Sequence, residues 1–217
     1  LCADYNIQVC IPATPVQMFF LLRRQMMRPY RKPLIIFSPK SLLRHKESVS
    51  PLEELASSRF KPVNGEWSED LQPKRVKRIV LCSGKVFFDL MAARKERGIK
   101  DVAIVRIAQL YPFPHDEFQE QIDLYSNARE VVWCQEEPGN QGAWHRIQHY
   151  LLRHMTRNQI LAYAMRASSA SPAVGYTSLH LEQQKELVDA AFAPITENLV
   201  RPVQGIGRAT RKADDAT

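Results

Sequence analysis

Residues 133–144 read WCQEEPGNQGAW: two tryptophans, a cysteine, two adjacent carboxylates and a Pro-Gly-Asn turn in one short stretch. Two carboxyls at one site can divide general acid and general base work between them. Glu136 and Glu137 are chain neighbours, however, and neighbours on an extended chain point to opposite faces, so they do not act together on one atom. A hydrogen-bonding or subunit-contact role is the stronger expectation, with a solvated turn as the alternative. The setting agrees: a hydrophobic run, EVVW, enters the stretch and a helix-like run, WHRIQHYLLRHM, leaves it. In open α/β sheets, ligands and partner subunits gather at the carboxyl ends of strands.

Three other groupings carry weaker signals. His145 and His149 stand four apart on one helical face, the spacing of a metal pair. Arg146 occupies the place where a zinc protease needs Glu, and His154 falls off that face, so a third ligand is lacking nearby. Packing or interface histidines are the expectation. Ser83-Gly84-Lys85 lies between a strand-like and a helix-like run, where free backbone N–H groups can hold an anion. It lacks the leading glycine and trailing Ser/Thr of a phosphate loop, since Val86 follows the lysine. An ATPase is therefore not expected; a weaker phosphate or carboxylate contact stands beside plain N-capping by Ser83. Ser168, Ser169 and Ser171 have no G-x-S-x-G setting and are expected to order a turn.

Apolar residues make up 45% of the 217-residue chain and charged residues 24%, the balance of a globular protein with one sizeable core or two modest ones. The net charge of +7 is unevenly spread: Arg23, Arg24, Arg28, Arg31, Lys32, Lys40, Arg44 and Lys46 arrive with no acidic residue until Glu47. With only Tyr30 as a stacking platform and no nucleic-acid signature, a solvated or subunit-facing basic surface is expected there, and no nucleic-acid partner. Four widely spaced cysteines without a CxxC read as buried reduced thiols of a cytosolic or organelle-matrix protein. No apolar run reaches the roughly 18 residues of a membrane span. Without an initiator Met or signal-peptide pattern, the chain reads as if cut from something longer.

The elements that must position these groups follow from periodicity. NIQVCIPAT (strand), PVQMFFLLRRQMMR (helix, Pro15 in its first turn) and KPLIIFSP (buried strand) form one unit. Residues 41–73 read as an ordered connector, because Leu42, Leu43, Leu52, Leu55, Phe60 and Trp67 need somewhere to pack. From residue 74 strands alternate with helices: VKRIVLCSG, KVFFDLMAARKERG, DVAIVRIAQL, PHDEFQEQIDLYSN, EVVWCQEE, QGAWHRIQHYLLRHM, QILAYAMRA and SLHLEQQKELVDAAF. This alternation predicts an α/β fold, a mainly parallel sheet with helices on both faces. Residues 193–217 show neither period and read as a disordered tail.

Taken together, RKPLIIFSPKSLLRHKESVSPLEELA, KRIVLCSGKVFFDL, DVAIVRIAQLYPFP, VVWCQEEPGNQGAW and RASSASPAVGYTSLHLEQQKELVDAAF closely resemble the C-terminal part of the decarboxylating component of the 2-oxoglutarate dehydrogenase complex. The resemblance covers about residues 1 to 192; the tail does not share it. It implies a transketolase-like build: 1–40 as the end of a pyrimidine-binding domain, 41–73 as connector, 74–192 as the C-terminal domain. It further implies thiamine diphosphate and magnesium in the full-length enzyme, with neither bound by this part alone. Implied partners are a second copy in a homodimer and the lipoyl-bearing dihydrolipoamide succinyltransferase component. The location would be cytoplasmic in a bacterium and the mitochondrial matrix in a eukaryote.

Within that resemblance the residues that do chemistry lie upstream, and no residue here receives a catalytic role. Trp133, Glu136, Glu137 and Trp144 are expected to brace a strand-end turn or subunit contact, with Arg106 as a candidate partner for the carboxylates. Some members are regulated by nucleotides or acyl-coenzyme A; Arg24, Arg59 and Gln109 match that pattern, whereas Asp116 and Glu117 replace basic residues. Two alternatives stand beside the leading one: a non-enzymatic anion-binding or subunit-tethering α/β module, and a related 2-oxoadipate dehydrogenase subunit.

Overall fold

The computed structural model describes residues 1–196 and, as backbone, 199–200. The chain opens with β1 (Gln8–Cys10), α1 (Pro15–Met27) and β2 (Leu34–Ile36), β1 and β2 pairing in parallel as a crossover over one helix requires. Proline at the start of α1 sits where its missing N–H is no loss. Residues 41–73 hold the short α2 (Glu54–Ser57) and β3 (Val63–Asn64). The expectation that all their apolar residues pack is met only in part. Phe60 is buried and Leu42 half-buried, but Leu43 and Leu52 are exposed.

β4 (Arg78–Cys82), α3 (Val86–Glu96), β5 (Val102–Ile107), β6 (Gln109–Tyr111), α4 (His115–Leu124), β7 (Glu130–Pro138), α5 (Trp144–His154), β8 (Ile160–Arg166) and α6 (Thr177–Phe192) follow the predicted alternation. The main sheet has the order β3-β5-β4-β7-β8-β9, where β9 is Leu199–Val200. Its four central strands are parallel; β3 and β9 cap the edges antiparallel. Leu199–Val200 thus form a strand where the sequence shows no strand period, because an edge strand pairs through backbone alone. The rest of the tail, 197–198 and 201–217, lies outside the described residues.

Both faces of the sheet are apolar, which is why its strands read as continuous hydrophobic runs rather than alternating ones. Ile79, Leu81, Ala103, Val105, Val131 and Trp133 face α4 and α5, while Val80, Cys82, Ile104, Val132 and Cys134 face α3 and α6. Each fully buried large side chain contributes about 1.5–3 kcal/mol. Of the four cysteines, Cys10, Cys82 and Cys134 are buried free thiols, but Cys2 is exposed. Burial pushes the Cys10 thiol up to about 11 and that of Cys82 up to about 12, the protonated, inert state.

β6 leaves the main sheet and pairs antiparallel with β1, giving a second sheet of order β2-β1-β6. One continuous sequence run, DVAIVRIAQL, therefore splits between two sheets, joined by an Ile11 N–H to Ala108 carbonyl bond of 2.7 Å. On the opposite edge, β3 is too short to cover β5. Glu66 completes the cover: its carboxylate accepts the Ile104 N–H at 2.9 Å, the Ser68 N–H at 2.8 Å and both Nη groups of Arg94 at 2.5 and 2.7 Å. Both side chains of this pair are 6% exposed.

Glu66→Gln strands Arg94 as a buried cation and is expected to destabilise the fold by about 3–5 kcal/mol. Urea unfolding of wild type and variant checks this; a change below about 1 kcal/mol contradicts the edge-sealing role.

Candidate functional site

β4 has β5 on one side and β7 on the other, so the chain reverses its direction of winding there. Ligands of open α/β sheets lodge at the carboxyl ends of such strands. This crevice receives Ser83-Gly84-Lys85 from β4 and Gln135-Glu136 from β7. Gly84 has φ +73°, and a Cβ there would meet Ile11 Cγ2 at 3.0 Å, so the turn needs glycine. Lys85 Nζ contacts Glu136 Oε1 at 2.5 Å and Asp89 Oδ2 at 3.8 Å. Gln184 Nε2 donates to the same Asp89 oxygen, and Arg166 Nη2 donates to Gln184, both at 2.8 Å. A polar chain thus ties β7, α3, α6 and β8 together across the crevice.

Two expectations are corrected here. Glu136 pairs with Lys85, not with Arg106: β4 lies between the strands that carry them. Arg106 instead packs against the rings of both Trp67 and Phe87, at 4.2 and 4.1 Å, where burial pushes its guanidinium down to about 10. Ser83 does not cap α3; its hydroxyl donates to the Ile107 carbonyl at 2.8 Å, and the N-cap position is Lys85. The only anions at this turn among the described residues are the protein's own carboxylates on the Lys85 ammonium, Glu136 and Asp89.

The turn itself is organised by Gln135, a residue that motif reasoning passed over. Pairing with β8 slips between Cys134 and Pro138, so β7 bulges and Gln135 turns inward, 3% exposed. Its Oε1 accepts the Trp133 indole N–H at 2.9 Å and the Trp144 backbone N–H at 3.1 Å. Its Nε2 donates to the Gln141 carbonyl at 2.8 Å. A signal did exist: a buried indole N–H needs an acceptor, and position i+2 on a strand shares its face. Gly142, at φ +69°, makes room, since a Cβ there would stand 2.8 Å from Gln135 Nε2. Trp133 and Trp144 are buried as expected, while Glu137 is exposed.

The serine-rich segment clips onto this turn. Asn140 donates to the Ser169 carbonyl at 2.9 Å and accepts the Ser169 N–H at 3.0 Å, and Gln141 Nε2 also donates to the Ser169 carbonyl at 2.9 Å.

Arg24 and Gln109 are brought together: Arg24 Nη2 donates to Gln109 Oε1 at 2.7 Å, and its guanidinium lies 4.2 Å over the Phe60 ring. Gln8 Oε1 accepts from both Arg24, at 3.3 Å, and Arg28, at 2.5 Å. Burial and the neighbouring Arg28 lower the Arg24 guanidinium from its ordinary value. Arg59 is exposed, and its backbone carbonyl accepts from Gln17 Nε2 at 3.1 Å. Asp116 and Glu117 form the first turn of α4, where the helix dipole favours them.

His145 and His149 are both exposed, and no group of three metal-type ligands forms among the described residues. The His154 Nε2 atom instead meets His115 Nδ1 at 2.8 Å.

Gln135→Ala removes the acceptor of two buried N–H groups and is expected to cost about 3 kcal/mol, at roughly 1–3 kcal/mol per unsatisfied group. Thermal unfolding followed by tryptophan emission reads both the loss and the loosening of Trp133; an unchanged midpoint contradicts the organising role.

The chain was compared with known proteins. Residues 49–192 match the family model described as 2-oxoglutarate dehydrogenase C-terminal. The 2-oxoglutarate dehydrogenase E1 component of Cupriavidus necator is 56% identical over 195 residues, covering 90% of this chain and 20% of that protein. The same-named protein of Azotobacter vinelandii is 54% identical, covering 88% and 21%. The chain therefore spans about a fifth of the length of the curated relatives it matches. Among solved structures, a split-gene transketolase described as an inactive β4 tetramer superposes with TM-score 0.57 at 17% identity, over 86% of this chain and 57% of that one. This likeness supports a transketolase-like fold. With two thirds of its length matched by one family model, the chain belongs to the 2-oxoglutarate dehydrogenase C-terminal family.

Proposed function

We propose that the chain is the C-terminal portion of the decarboxylating subunit of a 2-oxoglutarate dehydrogenase, and that it braces the enzyme rather than reacting with substrate. In this reading residues 1–40 complete a pyrimidine-binding domain, 41–73 connect, and 74–192 form the C-terminal domain. The whole subunit acts as a homodimer in the oxidative decarboxylation of 2-oxoglutarate, passing the succinyl group to the lipoyl-bearing dihydrolipoamide succinyltransferase. The observation that carries the bracing role is the Lys85–Glu136 pair, which fills the crevice where an open α/β sheet would otherwise hold a ligand.

Thiamine diphosphate supplies the chemistry that removes carbon dioxide from a 2-oxo acid. The residues described here do not fit it: the ammonium of the one strand-to-helix Ser-Gly-Lys turn is committed to Glu136 and Asp89. We therefore derive no step through the cofactor from this chain and assign its binding, with magnesium, to the remaining length of the enzyme.

In the full-length protein, Glu136→Gln is expected to cost about 2 kcal/mol, between the values for exposed and buried pairs. Turnover per folded dimer should stay within about twofold, and the exposed Glu137→Gln should fall within about 0.5 kcal/mol of wild type. Activity lost with unchanged melting and dimer mass would make Glu136 a site residue and end the bracing reading.

A second reading concerns regulation, and a specific observation favours it. Arg24 and Arg28 share one amide oxygen of Gln8, and among the described residues no carboxylate forms an ion pair with either. Two guanidiniums on a neutral acceptor suit an added phosphate, whose oxygens match their forked geometry. Arg24 and Gln109, with Arg59 from the connector, would receive a nucleotide or acyl-coenzyme A. Arg24→Ala should then weaken binding of such a ligand at low salt by tenfold or more while basal turnover holds. A variant that loses its fold, or a wild type that binds no nucleotide, rejects this regulatory reading and leaves the bracing one intact.

A further inference from the structure

At the pole opposite the crevice, where the parallel strands begin, a hollow of about 370 Å³ opens between the residues that lead into β4, β5 and β7. Lys74, Arg75, Lys77 and Lys100 line it against one carboxylate, Asp101, and all four cations are exposed. Asp101 is already paired, with Lys77 at 3.3 Å. Glu130, the carboxylate that opens β7, is paired with Arg78. Among the described residues Lys74, Arg75 and Lys100 form no ion pair. Arg129, also exposed, stands beside them, its N–H donating to the Lys77 carbonyl at 3.0 Å.

The rim of the hollow is fixed. Asn127 Nδ2 donates to the Lys74 carbonyl at 2.8 Å, the Lys77 N–H donates to the Asp101 carbonyl at 2.8 Å, and Val76 between them is fully buried. Cations also gather at helix C-termini, but that attraction falls off within the last turn. It does not account for these: Lys100 follows α3 beyond Gly98, and Lys74 and Arg75 belong to a single 3-10 turn, Pro73–Arg75, too short to carry a macrodipole. The cations stand on three chain segments around the hollow instead of converging on one point. A single small anion reaches few of them, and each exposed contact alone contributes little. A chain that carries several carboxylates meets them together, and charge complementarity of that kind selects the partner and speeds its arrival.

The occupant comes from outside the subunit, and this step rests on reading the chain as a C-terminal portion. In that reading the remaining four-fifths of the relatives' length precedes Leu1. Residues 1–11 lie beyond the carboxyl ends of the strands, where the Tyr5 N–H donates to the Tyr111 hydroxyl at 2.9 Å and the Ile11 N–H to the Ala108 carbonyl at 2.7 Å. The hollow is at the other end of the sheet. We propose that the hollow ringed by Lys74, Arg75, Lys77 and Lys100 is a docking surface for an acidic segment of a partner protein.

The test uses the full-length protein and a fluorescent peptide of about ten glutamates, with anisotropy read at about 50 mM salt, where such contacts are little screened. Wild type is expected to bind the peptide saturably, and Lys74→Glu/Lys100→Glu to weaken binding about tenfold or more. Arg44→Glu/Lys46→Glu makes the same charge change on exposed residues of the connector and should stay within about twofold of wild type. A wild type that does not bind, as when the rest of the subunit covers this pole, overturns the proposal. So does a loss in K74E/K100E no greater than in R44E/K46E, which makes the attraction one of net charge alone. An RNA of equal length that binds more tightly than the peptide and loses as much in K74E/K100E overturns the choice of partner. If K74E/K100E does not melt with wild type, Lys74→Gln/Lys100→Gln takes its place, against Arg44→Gln/Lys46→Gln. The readout is binding, so its failure leaves the bracing reading, which Glu136→Gln tests, standing.

Discussion

A central parallel strand with no polar face leaves little choice about where a protein keeps its polar chemistry. All five residues of β4 and all six of β5 are buried, so the sheet is stable only with helices on both sides. Four helices provide that cover, α4 and α5 on one face, α3 and α6 on the other. Every charged or hydrogen-bonding group near the core must then sit at a strand end, where the ladder stops and backbone groups become available. The pole at the carboxyl ends of β4, β5 and β7 gathers Lys85, Glu136, Arg106 and Gln135 for this reason.

Charges near the core are handled in three different ways. Arg78 answers Glu130 and also donates to the carbonyls of Ala191 and Ala193 at 2.9 and 2.8 Å, closing the C-terminus of α6 where free carbonyls favour a cation. Arg94 joins Glu66 to seal the edge of β5 that the two-residue β3 leaves open. Arg106 rests on aromatic faces with its edge unanswered. The first two link elements distant in sequence and belong to folding; the third packs β5 against Trp67 of the connector and Phe87 of α3.

The turn that follows β7 is organised by very few side chains. One amide, Gln135, answers an indole N–H, a backbone N–H and a carbonyl, and thereby fixes the angle at which α5 leaves the sheet. Glu136 then spans to Lys85, while Asn140 and Gln141 hold the serine-rich segment after β8. Hydrogen bonds and one ion pair thus join β4, β7, α5 and the segment after β8 at this pole.

The sequence by itself determined the α/β class, the alternation of strands and helices from residue 74 to 192, the buried tryptophans and the family. These features are written in periodicity and local motif, which survive without knowing what packs on what. It did not determine that DVAIVRIAQL divides between two sheets, that Leu199–Val200 add an edge strand, or that Cys2 lies outside the core. Nor did it identify the partner of Glu136, since β4 lies between the strands that carry Arg106 and Glu136. Strand order, bulges and ion-pair partners depend on which edges meet in space, and a one-dimensional pattern of apolar and polar residues is the same for several such arrangements. Only the tertiary structure decided that Lys85 reaches Glu136, that Gln135 turns inward, and that Arg106 packs against Trp67 and Phe87.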